Sequence, residues 1–136
     1  MKAIVVIPTY NEQGNLELLV NKIQQYANDL HILIVDDNSP DGTGMLADEL
    51  SRKNPSKIFV LHRERKQGLG RAYVEGFRYV LKKDYEVVLQ MDGDLSHDPS
   101  YLPVFLGQIR DCDLVLGSRR SEERRVGKEC RSRWSP

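Results

Sequence analysis

Asp92 and Asp94, separated only by Gly93, follow directly on the apolar run Val87-Val88-Leu89-Gln90-Met91. In an extended segment residues i and i+2 point the same way. A strand ending here therefore delivers two carboxylates to one side of its carboxyl end, and Gly93 keeps the space between them open. Two hard, anionic oxygen donors suit Mg2+ or Mn2+, whose other positions are filled by water and substrate phosphates. A metal-diphosphate site is one reading of the triplet. A polar turn after a buried strand is the other, because Asp and Gly are ordinary turn residues. An Asp-x-Asp triplet alone is a weak motif, so its neighbours decide.

Those neighbours are set by the elements. Five short apolar runs stand out: residues 3–7, 32–35, 58–61, 87–91 and 114–116. Between them, apolar residues recur at helical spacing: Leu16, Leu19, Val20, Ile23 and Ala27; then Met45, Leu46 and Leu50, with Thr43 as the expected N-cap. Leu69, Ala72, Tyr73, Gly76, Phe77, Val80 and Leu81 mark a third helix, and Leu102, Phe105, Leu106 and Ile109 a fourth, opened by Asp98-Pro99. Apolar strands alternating with amphipathic helices predict an α/β fold with a mostly parallel sheet and helices on both faces. In such sheets ligands bind beyond the carboxyl ends of the strands. The segments there are Pro8 to Glu12, Asp36 to Thr43, His62-Arg63-Glu64, Asp92-Gly93-Asp94 and Gly117-Ser118-Arg119. The topology gathers these scattered polar segments along one edge.

Composition narrows the class. A chain of 136 residues, 40% of them hydrophobic, favours one packed domain. Formal net charge is zero, but residues 120–136 hold six basic and three acidic side chains, which leaves the remainder mildly acidic. A nucleic-acid partner is not expected. Cys112 and Cys130 lack metal-type spacing and predict neither a zinc site nor a disulfide scaffold. The sequence enters a strand without a signal peptide, and no run approaches the ~18 apolar residues of a membrane span. A cytoplasmic chain without a transmembrane segment is the expectation.

The site chemistry follows from charge. A nucleoside diphosphate beside Asp36, Asp37, Asp92 and Asp94 would be repelled by roughly 4 kcal/mol per charge pair at ~4 Å and intermediate dielectric. A divalent cation reverses that sign and stabilises a departing diphosphate. Arg119 could add a planar phosphate-binding fork, or be a surface arginine. Asp36 and Asp37 could equally be turn caps. Tyr10 could stack on a base or pack over its loop, and Asp37 could accept hydrogen bonds from a base or sugar.

Taken together, Val-Ile-Pro-Thr-Tyr-Asn-Glu (6–12), Ile-Val-Asp-Asp-Asn-Ser-Pro-Asp-Gly-Thr (34–43), Gly-Leu-Gly-Arg-Ala-Tyr (68–73), Met-Asp-Gly-Asp-Leu-Ser-His-Asp-Pro (91–99) and Gly-Ser-Arg (117–119) closely resemble glycosyltransferase family 2. The second and fourth pieces resemble its dolichol-phosphate (polyprenol-phosphate) mannosyltransferase branch. The resemblance implies the GT-A fold, a Rossmann-like nucleotide-diphospho-sugar transferase architecture. It implies metal-dependent, inverting transfer of mannose from GDP-mannose to a dolichyl or polyprenyl phosphate. Pro8, Tyr10 and Glu12 match the loop around the nucleoside, and Val35 and Asp37 the next nucleotide contacts. Asp92 and Asp94 match the ligands of Mg2+ or Mn2+ and the diphosphate, with Gly93 lining the sugar site. Ser96 matches a polar position near the metal, and Arg119 a phosphate contact. Asp92, Asp94 and Arg119 are thus the expected catalytic residues. Peripheral attachment at the cytoplasmic face of a membrane, with a separate anchoring subunit or domain, is implied as well. Another sugar donor or acceptor, or an inactive nucleotide-sugar-binding fragment, are the alternatives.

The resemblance covers residues 2 to about 119. Gly68-Leu69-Gly70 does not extend to a dinucleotide fingerprint, because Tyr73 stands at the third glycine position. Residues 1–119 are accordingly expected to form the nucleotide-sugar domain, truncated on its carboxyl side. Residues 120–136 show no hydrophobic period and are expected to be a non-native or disordered basic tail.

Overall fold

The computed structural model describes residues 2–65 and 68–111. They fall into two compact units, residues 1–97 and residues from 98 onward. The expected strand at 114–116, Arg119, Cys112, Cys130 and the basic segment lie outside the described residues.

The first unit alternates strand and helix: β1 (Ala3–Thr9), α1 (Gln13–Tyr26), β2 (His31–Asp36), α2 (Thr43–Lys53), β3 (Ile58–His62), α3 (Leu69–Leu81) and β4 (Val87–Gln90). All ladders are parallel, in the order β3-β2-β1-β4. β1 and β2 are central, so their apolar runs are buried on both faces, from Ala3 to Thr9 and from Ile32 to Asp36. β3 and β4 flank them among the described residues and are only half-buried. Alternation along each strand sends Ile4, Val6, Leu33 and Val35 to one core, completed by Ala72 and Val80 of α3. α1 contributes Leu16, Leu19, Val20 and Ile23 to the buried set, and α2 contributes Ala47 and Leu50.

The strand order has a consequence for the site. From β1 to β2 to β3 the chain steps in one direction. It then crosses back to place β4 on the other side of β1. Right-handed crossovers therefore put α3 on the face opposite α1 and α2. The direction of winding reverses between β1 and β4, and in open α/β sheets ligands bind outside the carboxyl ends of the strands at such a switch.

α3 lies close to the sheet because its buried seam is Ala72, Gly76 and Val80. A Cβ on Gly76 would lie 2.5 Å from Val6 Cγ1 and 3.3 Å from Val35 Cγ2. Gly76→Ala must push the helix outward. It is expected to destabilise the fold by about 1–3 kcal/mol, measured by urea unfolding, although alanine is the better helix former.

The second unit begins with an N-cap: Asp98 Oδ1 accepts the backbone N–H of Ser100 at 2.9 Å. Pro99–Tyr101 form a 3₁₀ turn, followed by α4 (Leu102–Gln108) and a second 3₁₀ turn, Ile109–Asp111. No helix among the described residues is long and apolar enough to cross a membrane.

Candidate functional site at the carboxyl edge of the sheet

The loop after β1 is held by the loop after β2. Asp36, 1% exposed at the end of β2, accepts the Thr9 hydroxyl on Oδ1 at 2.7 Å. It also accepts the Ser39 hydroxyl at 2.7 Å and the Ser39 backbone N–H at 3.0 Å. Ser39 Oγ in turn accepts the Asn11 backbone N–H at 3.0 Å. Thr43 is wholly buried, and its Oγ1 accepts the Glu12 backbone N–H at 2.9 Å while donating to Asp41 Oδ1. Thr43 is thus the first residue of α2 rather than its N-cap. The cap position falls to Gly42, whose φ of 94° an L side chain rarely adopts. Hydrogen bonds from Thr43 hold the Asp41 carboxyl below its ordinary range.

Asp37 has a different partner. Arg63, just after β3, donates from Nη1 to Asp37 Oδ1 at 2.9 Å, and the two side chains are only 8% and 7% exposed. Of the four aspartates expected to face a diphosphate, Asp36 is committed to the scaffold and Asp37 is neutralised. Val35 is also wholly buried, in the core beneath α3. Tyr10 and Glu12 are half-buried, and Pro8 is buried within β1.

Asp92 and Asp94 remain. β4 pairs with β1 from Ala3–Val87 to Val6–Gln90, and Met91 extends the ladder through its N–H to Val6 O at 3.1 Å. The triplet then passes beside the β1 loop. A Cβ on Gly93 would lie 3.1 Å from Pro8 O, 3.2 Å from Thr9 Cγ2 and 3.4 Å from Glu12 Cγ. Only glycine fits here without displacing the β1 loop, so Gly93 seats the triplet against that loop.

Each of these aspartates accepts a hydrogen bond on Oδ1. Asp92 Oδ1 accepts the Tyr73 hydroxyl at 3.0 Å, and Asp94 Oδ1 accepts the Ser96 backbone N–H at 2.9 Å. Hydrogen bonds from Ser96, the side chain first and then the backbone, hold Asp94 below the usual carboxylate range. Burial first, then the nearby charge of Asp92, pushes the Tyr73 hydroxyl far above its ordinary value, so it stays a donor. The Asp92 backbone N–H donates to His97 Nδ1 at 3.2 Å. His97 Nε2 lies 3.9 Å from Asp92 Oδ2, beyond hydrogen-bond reach. Leu95, between Asp94 and Ser96, sits at φ 65°, which costs a branched residue on the order of 1 kcal/mol. The loops after β1 and β2 make the same left-handed turn at Asn11 and Asn38, which tolerate it better.

Oδ2 of Asp92 therefore takes no hydrogen bond among the described residues, and the hydrogen bonds that reach Asp94 there come from its near neighbour Ser96. Two neighbouring carboxylates of this kind are a donor set that Mg2+ or Mn2+ can share with phosphates and water. No group of three or more His, Cys, Asp or Glu side chains arranged for a metal occurs among the described residues.

Sequence reasoning singled out Pro8, Tyr10, Glu12, Val35, Asp37, Asp92, Gly93, Asp94 and Ser96, and all lie at or next to this edge. It gave no role to Thr9, Arg63, the Tyr73 hydroxyl or His97. Thr9 and Arg63 were legible as post-strand residues, and Tyr73 and His97 only as members of the motifs at 68–73 and 91–99.

Comparison with known proteins agrees with this geometry. The family model for Glycosyl transferase family 2 matches residues 4–134. The chain is 47% identical over 119 residues to a polyprenol monophosphomannose synthase of Mycolicibacterium smegmatis, covering 87% of this chain and 45% of that protein. It is 47% identical over 120 residues to an undecaprenyl-phosphate mannosyltransferase of Micrococcus luteus, covering 88% of this chain and 49% of that protein. The chain thus spans about half the length of these curated relatives. Among solved structures, the mannosyltransferase PcManGT from Pyrobaculum calidifontis, in complex with GDP-Man and Mn2+, matches with a TM-score of 0.72 at 21% identity, covering 89% of this chain and 36% of that one. TarS of S. aureus in complex with UDP-GlcNAc matches with a TM-score of 0.70 at 24% identity, covering 94% of this chain and 37% of that one. At these identities the structural likeness establishes the fold, the α/β GT-A architecture. With the carboxylate pair at the β1–β4 switch and the family match spanning nearly the whole sequence, the chain belongs to glycosyl transferase family 2.

Proposed function

We propose that this chain carries the donor side of a mannosyltransferase that moves mannose from GDP-mannose to a polyprenyl or dolichyl phosphate with inversion. The observation that carries the reading is the carboxylate pair Asp92 and Asp94 beside the β1 loop, with Asp92 Oδ2 taking no hydrogen bond among the described residues. The names of relatives 47% identical over most of this chain support the sugar and the lipid phosphate.

In this reading Asp92 and Asp94 hold Mg2+ or Mn2+. The bound cation would offset the diphosphate charge and stabilise it as a leaving group. Pro8, Tyr10 and Glu12 surround the nucleoside, with Val35 and Asp37 completing that side. Gly93 lets the donor sugar approach the backbone, Ser96 stays near the cation side, and Arg119 contacts phosphate. The acceptor phosphate is already ionised at neutral pH, so no general base is required. Its oxygen forms the new bond to the anomeric carbon on the face opposite GDP. The bond to the diphosphate breaks, and its electron pair leaves with GDP. The enzyme would work at a membrane surface, where the lipid resides, with anchoring supplied by a separate subunit or domain.

Donor competition tests the assignment. With polyprenyl phosphate and Mn2+, labelled mannose from GDP-mannose should appear in a lipid-soluble product, and unlabelled UDP-GlcNAc should compete at least about tenfold less well than unlabelled GDP-mannose, as a site that reads base hydrogen bonds requires. Preference for a uridine donor would overturn the GDP-mannose reading. Tight GDP-mannose binding with no lipid product would leave a nucleotide-sugar-binding fragment.

A further inference from the structure

We propose that Tyr73 is a positioning residue: its hydroxyl, delivered by α3, fixes Oδ1 of Asp92 so that Oδ2 is left to a divalent cation. This rests on the metal-diphosphate reading above and gives a purpose to the Gly-Leu-Gly-Arg-Ala-Tyr segment, which that reading leaves unused.

Two observations converge on it. α3 returns antiparallel to the strands, so its first turns lie at the carboxyl edge of the sheet. Its seam of Ala72 and Gly76 brings the helix so near that a Cβ at Gly76 would strike Val6. Val6 is the β1 partner of Gln90, two residues before Asp92. Tyr73 stands one turn ahead of Gly76 and reaches Asp92 Oδ1 at 3.0 Å. Its ring is fixed by stacking on Phe77, with centroids 6.0 Å apart and planes at 24°.

The arrangement separates positioning from stability. Asp92 is partly open, with 31% of its side chain exposed. Water can therefore replace the tyrosine hydroxyl in its hydrogen bond, but it does not fix the carboxylate rotamer as a side chain anchored on α3 does. Outer partners that orient metal-binding groups typically contribute 10–100-fold to metal affinity. The phenylalanine variant keeps the ring and its stacking and removes only the donor.

The test titrates Mn2+ into the full 136-residue chain with excess GDP, following free Mn2+ by electron paramagnetic resonance, for the wild type, Tyr73→Phe and Asp94→Ala. Tyr73→Phe should weaken Mn2+ about tenfold, leave GDP affinity in chelator unchanged, and keep the metal-free Tm within about 4 °C of wild type. A change in Mn2+ affinity of less than about threefold would overturn the positioning role while wild-type binding, lost in Asp94→Ala, keeps the metal reading intact. A larger fall in metal-free Tm would mark the hydroxyl as part of the fold and also overturn it. A wild-type chain that fails to bind Mn2+ with GDP would sink the metal reading, and the proposal with it.

Discussion

Arg63→Ala is expected to destabilise the protein by about 3–5 kcal/mol, because it leaves the Asp37 carboxylate buried without a partner. The pair sits at 2.9 Å with both side chains less than a tenth exposed. Each charge has been removed from water, and their mutual attraction offsets that loss only while both are present. Asp37→Ala should also be damaging, since it removes the carboxylate to which Arg63 Nη1 donates. In a domain of this size such losses lower Tm by more than ~10 °C. Replacing both together, Arg63→Met with Asp37→Leu, should recover much of the stability, because apolar pairs often substitute for buried ion pairs at little cost. Urea unfolding of the two single variants and the double variant measures this directly. Single losses below about 1 kcal/mol would place the pair in effective contact with water. From the sequence alone, Asp37 was expected to contact the nucleotide or to cap a turn. Its pairing with Arg63 means that a single alanine substitution would confound nucleotide affinity with folding. Nucleotide affinity at Asp37 is better read from variants shown to be folded.

Asp94→Ala should abolish the metal dependence of donor binding. It removes one of two protein ligands in the proposed site, and the one held below the ordinary carboxylate range by Ser96. Loss of an outer partner alone commonly costs 10–100-fold in metal affinity, so loss of a ligand should exceed about 100-fold. Asp94 is exposed, and its removal breaks only the hydrogen bonds from Ser96, so the fold should tolerate the change. Calorimetric titration of GDP-mannose with Mn2+, with Mg2+ and with chelator checks this. The wild type should bind strongly only with a cation, and the variant equally weakly in all three. Donor binding in chelator as tight as with Mn2+ would remove the cation from the site.

The loops that carry these residues also explain the length of the Asp-Asp-Asn-Ser-Pro-Asp-Gly-Thr segment. Asp36, Ser39, Asp41 and Thr43 are all engaged in holding the β1 loop or the start of α2. Most of that motif is therefore scaffold for the β1 loop rather than ligand contact. Its dense polarity reflects the need to satisfy backbone N–H groups of Asn11, Glu12 and Gln13 at the head of α1, where no helical partner exists.

Within the described residues, the sequence by itself determined the order of strands and helices, the parallel sheet and the edge along which the post-strand loops gather. These follow from short-range rules: apolar runs make buried strands, a 3.6-residue period makes helices, and alternating βα units place every post-strand loop on one side. It also picked out Asp92 and Asp94, because two carboxylates at i and i+2 after a strand share a direction whatever surrounds them. Only the tertiary structure decided which aspartates are available. Asp36, Asp37, Asp92 and Asp94 look alike along the chain, but their partners are distant: Thr9 is 27 residues from Asp36, Arg63 is 26 from Asp37, and Tyr73 is 19 from Asp92. Whether a carboxylate is buried in a scaffold, neutralised by a guanidinium, or left with one free oxygen depends on what the packed helices and loops bring to it. That is a property of the switch between β1 and β4 and of the close seat of α3, and no local pattern encodes it.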